Sequence, residues 1–307
     1  MSLPPRTNIE VRYAVSSADD AETAGATATR QAMGEGLSEK LAAVLVFPSA
    51  RYSMEKLFAG VRSVVGDVPI LGGTTAGEIC AGMVHHGSVV VVALASRYLS
   101  VSSAVGHNVS KNWRTAVNEA LANPALTQHF GQETQAYRDE LRRQGKSAFA
   151  LVLSPGETPQ TESTGHEIFS ELRTRSEGHL PICGGCVSDG GTGKTSFVFS
   201  DGRSHSDSLL VAVFETQLTF GLGVCHSYTP ELPRRTATRT RGQEILEIDG
   251  RPADAVFAEI LGTNVDDLRG KDLWAATQAA VDVVASGADY TITLPRCLTE
   301  SHGVRLA

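Results

Sequence analysis

Cys183-Gly184-Gly185-Cys186 has the two-residue spacing of a zinc knuckle or a redox dithiol, since thiolates so placed can share a metal ion or a disulfide. Gly191-Thr192-Gly193-Lys194-Thr195 invites a second reading, a phosphate-cradling loop in which amides and a lysine hold a nucleotide. That loop needs a glycine where Ser188 stands, and a helix where Ser196–Ser200 has a strand pattern. Lys194 is therefore expected to bind no nucleotide, and the stretch reads as a glycine-rich hairpin. The nine histidines show no HExxH spacing and no CxxCH, which excludes covalent c-type haem. His85-His86 reads as an exposed loop pair and His166 as a surface helix residue. His226, after Cys225, falls at a junction between two sequence regions, a favoured place for ligands. No G-x-S-x-G elbow surrounds Ser49 or Ser154, so a hydrolase or transferase would have to use Cys186 or Cys225 as nucleophile.

The elements that would position these residues follow from periodicity. Ile9–Ser16 reads as a strand, followed by a helix over about 18–36 with Asp19 and Asp20 suited to its positive first turn. Leu41–Phe47 is continuously apolar, the pattern of a strand buried on both faces. Ser53 is placed to cap a helix over Met54–Val65, after which Pro69–Thr75 is a strand breaking into glycines. Strands near Ser88–Ala95 and Ser100–Gly106 close this half.

The order then recurs. A helical region over about 112–144, broken near Asn123-Pro124, leads to a strand at Ala148–Leu153, a helix near Ser163–Arg175 and LPICGGC from Leu180. Strands near Ser196–Ser200, Ser208–Phe214 and Thr219–Cys225 complete the second half. VPILGGTTAG from Val68 and LPICGGCVSDG from Leu180 occupy the same place in the two halves, as do GSVVVVAL from Gly87 and DSLLVAVF from Asp207. The repeat is also a control on the cysteines: the glycines recur and the cysteines do not, so the spacing belongs to a backbone turn. Gly72, Gly73, Thr74 and Thr75, with Gly184, Gly185, Ser188 and Asp189, are the candidate ligand-binding residues. Glycine permits close backbone approach and exposes amides to an anion. Close packing between two sheets would ask for the same glycines.

From Glu231 the pattern changes to two short strands, an Asp249-Gly250 turn and a helix led by Pro252. An amphipathic helix around Leu273–Ala285 and a strand at Tyr290–Leu294 follow. The reading is an α/β protein of mixed sheets flanked by helices. Residues 9–230 form a domain of two pseudo-equivalent units, about 9–110 and 111–230, and residues 231–307 a small α+β domain.

Composition bounds the function. With 27 basic and 34 acidic side chains among 307 residues, the net charge of −7 gives no general attraction to nucleic acid. Arg234, Arg235, Arg239 and Arg241 read as a solvated face. The longest apolar runs, seven residues each, fall short of the roughly 20 of a spanning helix. The amino terminus has no apolar signal core, and five cysteines fit a reducing compartment, so the expected location is cytoplasmic.

PILGGTTAGEI, CGGCVSDGGTGKTSFVFSDG, GLGVCHSYTP and, most specifically, QEILEIDGRPADAVFAEILG resemble the FIST family over residues 42–262. The resemblance implies a non-catalytic sensor that binds a small molecule and signals to a partner such as a histidine kinase, a chemoreceptor or a cyclic-dinucleotide enzyme. Some bacterial relatives bind haem and respond to nitric oxide. That implies haem b as a possible cofactor here, with His226 the first axial candidate and Cys225 the second.

Overall fold

The computed structural model describes residues 8–37, 39–131, 134–156, 163–190, 195–223, 234–273, 281–284 and 290–306, the side chains of 281–292 excepted. Two units separate, Met1–Leu222 and Gly223–Ala307.

In the first unit, β1 (Glu10–Ser16), α1 (Ala21–Met33), β2 (Leu41–Pro48), α2 (Met54–Val65) and β3 (Ile70–Gly73) follow in order. A short hairpin, β4 (Glu78–Cys80) and β5 (Met83–His85), precedes β6 (Val89–Ala95). The plan restarts with β7 (Leu99–His107), α3 (Val109–Leu121), α4 (Pro124–Phe130), α5 (Thr134–Arg143), β8 (Ser147–Pro155), α6 (Gly165–Arg175) and β9 (Ile182–Val187). The hairpin β10 (Phe197–Ser200) and β11 (Arg203–Ser206) and the strand β12 (Ser208–Thr216) end it.

Two sheets result, ordered β1-β6-β2-β3-β10-β11 and β7-β12-β8-β9. In each, only the pair flanking the second crossover is parallel, β2 with β3 and β8 with β9. The strand at Ser100–Gly106 therefore opens the second half rather than closing the first: β7 pairs with β12, as β1 pairs with β6. The second half also gives away its hairpin, since β10 pairs with β3 and extends the other sheet.

The apolar runs are explained by layering. Alternate residues of β2 point to different cores: Val44 and Val46 join the helices α1 and α2, while Leu45 and Phe47 face the second sheet. In β12, Leu209, Val211 and Val213 meet α3, α4 and α6, whereas Leu210, Ala212 and Phe214 face the first sheet. Helices cover the outer face of each sheet and the inner faces meet, giving four layers, helix-sheet-sheet-helix. A strand inside such a stack has no polar face to show.

Asp20 caps α1, its Oδ1 accepting from the Thr23 amide at 2.8 Å. Ser53 stands at the start of α2 but makes no side-chain cap bond. Residues 219–223 are not a strand, so the expected strand at Thr219–Cys225 does not form over its described part.

The second unit contains β13 (Ala237–Arg241), β14 (Glu244–Ile248), β15 (Arg251–Pro252), α7 (Ala253–Ile260), α8 (Val265–Leu268), β16 (Val281–Val284), β17 (Tyr290–Thr293), β18 (Pro295–Leu298) and β19 (Val304–Leu306). Asp249 and Gly250 both have positive φ, 51° and 74°, which the two-residue turn between β14 and β15 requires. The helix expected around Leu273–Ala285 gives way to strand at 281–284, paired with β17. Strand β13 is exposed throughout, and Arg235, Arg239 and Arg241 pair with acidic side chains of their own unit, so the arginine run is a solvated face. Buried Glu244 accepts from Ser301 and Thr299 and pairs with Arg241, which together hold its carboxyl down to about 2.

Candidate functional site

The two glycine pairs occupy equivalent positions. Gly72 lies beside Val46 in the β2–β3 ladder and Gly184 beside Val152 in the β8–β9 ladder. Their φ values are 143° and 147°, and a Cβ would lie 2.0 Å from the Val46 oxygen and 1.7 Å from the Val152 oxygen. Only glycine fits, because two backbones approach each other there.

The surroundings of the pairs differ. Gly72, Gly73 and Thr74 are buried, and a Cβ on Gly73 would meet Val187 at 2.2 Å. Thr74 accepts at Oγ1 from the Phe197 amide, 2.9 Å, and at its carbonyl from the Ser188 amide, 2.9 Å. Thr75 donates to Glu78, 2.7 Å, whose other oxygen takes the Ser88 amide and hydroxyl. Thr74 and Ser188 therefore meet in a polar seam already satisfied by protein. Asp189 follows half-buried. Gly184 is exposed, and nothing faces a Cβ on Gly185 within 4 Å.

Cys183 and Cys186, three residues apart on an extended strand, project to opposite faces of β9 and cannot share a metal or a disulfide. Burial pushes the Cys183 thiol up. Cys186 is exposed beside the amino end of α6, with the hydroxyls of Ser154 and Ser163 each 3.6 Å from its sulfur. Among the described residues no group of three or more His, Cys, Asp or Glu could hold a metal. Gly191–Lys194, Cys225 and His226 lie outside the described residues.

At the opposite end of β8 is a cavity of about 200 Å³. Its walls come from α4 (His129), α5 (Tyr137, Arg138, Leu141, Arg142), the start of β8 (Lys146, Ser147, Ala148), the segment before β9 (His179, Leu180, Pro181) and Phe220. The helices α4 and α5 have no counterpart in the first half, where α1 alone joins the equivalent strands. The insertion thus creates the cavity.

Glu215 anchors its inner wall. It stands next to last in β12, opposite Ala148, and its Oε1 accepts from the Tyr137 hydroxyl at 2.6 Å and lies 3.1 Å from Nε2 of buried His129. The His129 and Tyr137 rings meet edge-on, with centroids 4.9 Å apart. The bonds from His129 and Tyr137, helped by Lys146, hold the Glu215 carboxyl below its ordinary range despite burial. Burial and the adjacent carboxylate push the Tyr137 phenol well above its ordinary value. With its Nε2 engaged by Glu215, His129 is not presented as an axial donor, so this cavity does not fit haem.

The sequence signals for this cavity were available but faint. Tyr137 and Leu141, with Arg138 and Arg142, recur at i, i+4 on one helix face, and Glu215 interrupts an otherwise apolar strand. Nothing in the primary structure places these two features side by side.

The family model of the FIST N domain matches residues 42–251. No curated protein matches the chain. Among solved structures, cyanuric acid hydrolase from A. caulinodans is similar at 14% identity and a TM-score of 0.32, over 67% of this chain and 70% of that one. A second cyanuric acid hydrolase structure is similar at 10% identity and a TM-score of 0.35, over 70% and 71%. Likenesses of that size bear on neither fold nor activity. No described helix is long and apolar enough to cross a membrane.

Proposed function

The chain belongs to the FIST family of signal-transduction sensor domains, and from that premise we propose that it binds a small molecule in the α4–α5 cavity and passes its state to a signalling partner. The cavity is the observation that supports the reading. It combines an apolar wall with a few polar groups, as small-molecule sites do. Its volume of about 200 Å³ suits a compact metabolite.

The wall on the sheet side is formed by buried strands, and the wall on the solvent side is α5. Helix α5 buries only Thr134 and Leu141 along ten residues, so its local stability is low. A ligand filling the space beneath α5 adds contacts that the empty state lacks, and can thereby shift α5 between two positions. The partner class implied by the family, a histidine kinase, a chemoreceptor or a cyclic-dinucleotide enzyme, would read that shift. The test is a thermal-shift screen of small metabolites against the whole chain and a Ser147→Trp variant that fills the cavity mouth. Stabilisation of the parent lost in Ser147→Trp supports the site; ligands that stabilise both proteins equally place binding elsewhere.

The rival reading, catalysis through Cys186 or Cys225, finds little support at Cys186, whose described partners are two hydroxyls and no base. Fast alkylation of one cysteine at neutral pH would revive it. Haem is a separate proposal through His226, tested by adding hemin and desalting. A Soret band retained by the parent and lost in His226→Ala supports it.

A further inference from the structure

Resting on the reading that the α4–α5 cavity is the ligand site, we infer that its ligand is a small organic monoacid: a carboxylate on a compact apolar body, with no amine. Charge is the first reason. Arg138 and Arg142 sit one turn apart on α5 and Lys146 follows, so three cations border the same space. Among the described residues, Asp139 pairs with Arg142 at 3.8 Å and Glu215 is bonded to Tyr137 and His129, so neither carboxylate answers Arg138. A ligand ammonium would meet like charge, whereas a carboxylate meets its complement.

Geometry is the second reason. Nε of Arg138 is buried and has no hydrogen-bond partner, while Nη2 of the same guanidinium donates to Gln135. Arg138 lines the cavity, and its shielded Nε gains a partner when the guanidinium turns from Gln135 toward a bound carboxylate, which a charge-assisted hydrogen bond favours. The rest of the wall decides the body of the ligand. Leu141, Leu180, Pro181 and Phe220 offer apolar surface that a bare oxyanion would leave uncovered. The volume admits little beyond one ring or a short branched chain.

Calorimetric titration of the full chain with four matched probes tests the class. Phenylacetate carries the acid and the apolar body, phenylacetamide is its neutral isostere, phenylglycine adds an amine, and inorganic phosphate lacks the body. Phenylacetate is expected to bind at least tenfold more tightly than the other three. Arg138→Gln should weaken phenylacetate about ten- to a hundredfold with phenylacetamide unchanged, because one charge-assisted hydrogen bond is lost. The unfolding midpoint of Arg138→Gln, unchanged from the parent, guards against a folding defect, and Lys146→Gln gives an independent, smaller loss. Equal or tighter binding of phenylacetamide or phenylglycine overturns the acid assignment while leaving the cavity as the site. Binding of phosphate alone overturns the apolar body. Binding of phenylacetate that Ser147→Trp does not weaken overturns the cavity itself. Silence from all four probes overturns the monoacid class, and the broad screen then decides separately whether the cavity binds anything.

Discussion

The two halves of the amino-terminal unit share one backbone plan and differ at their ends. Each places a glycine of positive φ beside a valine in its parallel pair, Gly72 by Val46 and Gly184 by Val152. Around Gly72 the first half is closed, sealed by Val187, the Phe197 amide and the Thr75–Glu78–Ser88 bonds. Around Gly184 the second half is an open sheet edge, and beyond the start of β8 its extra helices enclose a cavity. Duplication supplies a stable frame twice. One copy is filled at its glycine pair while the other keeps an open edge and a cavity.

Removing what the second half donates to the first should cost most. Phe199 on β10 is fully buried among α1, α2 and the first sheet, edge-on to Phe58 at 4.9 Å. Phe199→Ala is expected to lower unfolding free energy by about 3–5 kcal/mol in denaturant titration. A loss below 1 kcal/mol would mean that the hairpin exchange matters little.

The glycine pair gives the next test. Gly72→Ala puts a Cβ against the Val46 oxygen inside a buried ladder, at about 3 kcal/mol or more. Gly184→Ala meets the same obstacle, but β9 is an edge strand that can move, so about 1–3 kcal/mol is expected. Equal losses would say that the two halves are equally closed at this point.

At the cavity, Tyr137→Phe removes one hydrogen bond to a carboxylate and should cost about 1.5–3 kcal/mol near neutral pH. Tyr137 has a raised pKa in the folded chain, so its contribution is complete below the ordinary tyrosine value of about 10 and fades as pH rises toward the folded value. The Tyr137→Phe difference should therefore shrink above about pH 10. Glu215 has a lowered pKa, so its share is complete above the ordinary carboxylate range of about 4 and is lost as pH falls through the folded value. Unfolding midpoints of parent and variant across pH check both arms. A difference independent of pH contradicts the arrangement.

The smallest effects are at the helix starts. Asp207→Ala should cost about 1 kcal/mol and Asp20→Ala should lower stability by less, since each carboxylate accepts an amide in the first turn of a helix, Ser110 in α3 and Thr23 in α1, both at 2.8 Å. The Asp20 loss should be the same in any context that keeps α1. The Asp207 loss should disappear in any variant that detaches β12 from β7, which a double-mutant cycle with Leu209→Ala reads.

Most of the fold was legible because it rests on local chemistry. The apolar runs at Leu41–Phe47 and Ser208–Phe214, the helix at Met54–Val65 and the Asp249-Gly250 turn each follow from residues adjacent in sequence. The repeat was legible because the glycine turn recurs. The hairpins β4–β5 and β10–β11 were less so: three- and four-residue strands give periodicity too little length. The expected helix around Leu273–Ala285 failed at 281–284 because Val281, Val283 and Val284 favour a strand once a partner, β17, is present.

The sequence by itself determined the strand buried on both faces at Leu41–Phe47 and the acidic start of α1, because each depends on side chains within a few positions of one another. It marked the glycines but not their use, since close backbone approach and ligand access ask for the same residue. Only the tertiary structure decided that β7 begins the second half, that β10 completes the first sheet and that Asp207 caps a helix 97 residues away in sequence. The cavity belongs to that group. His129, Tyr137 and Glu215 span 86 positions in the chain, and they become one hydrogen-bonded wall only when β12 pairs with β8 and sets the acid beside the inserted helices. Contacts of that range are fixed by which strand pairs with which, and pairing is settled by the burial of whole faces rather than by any local run of residues.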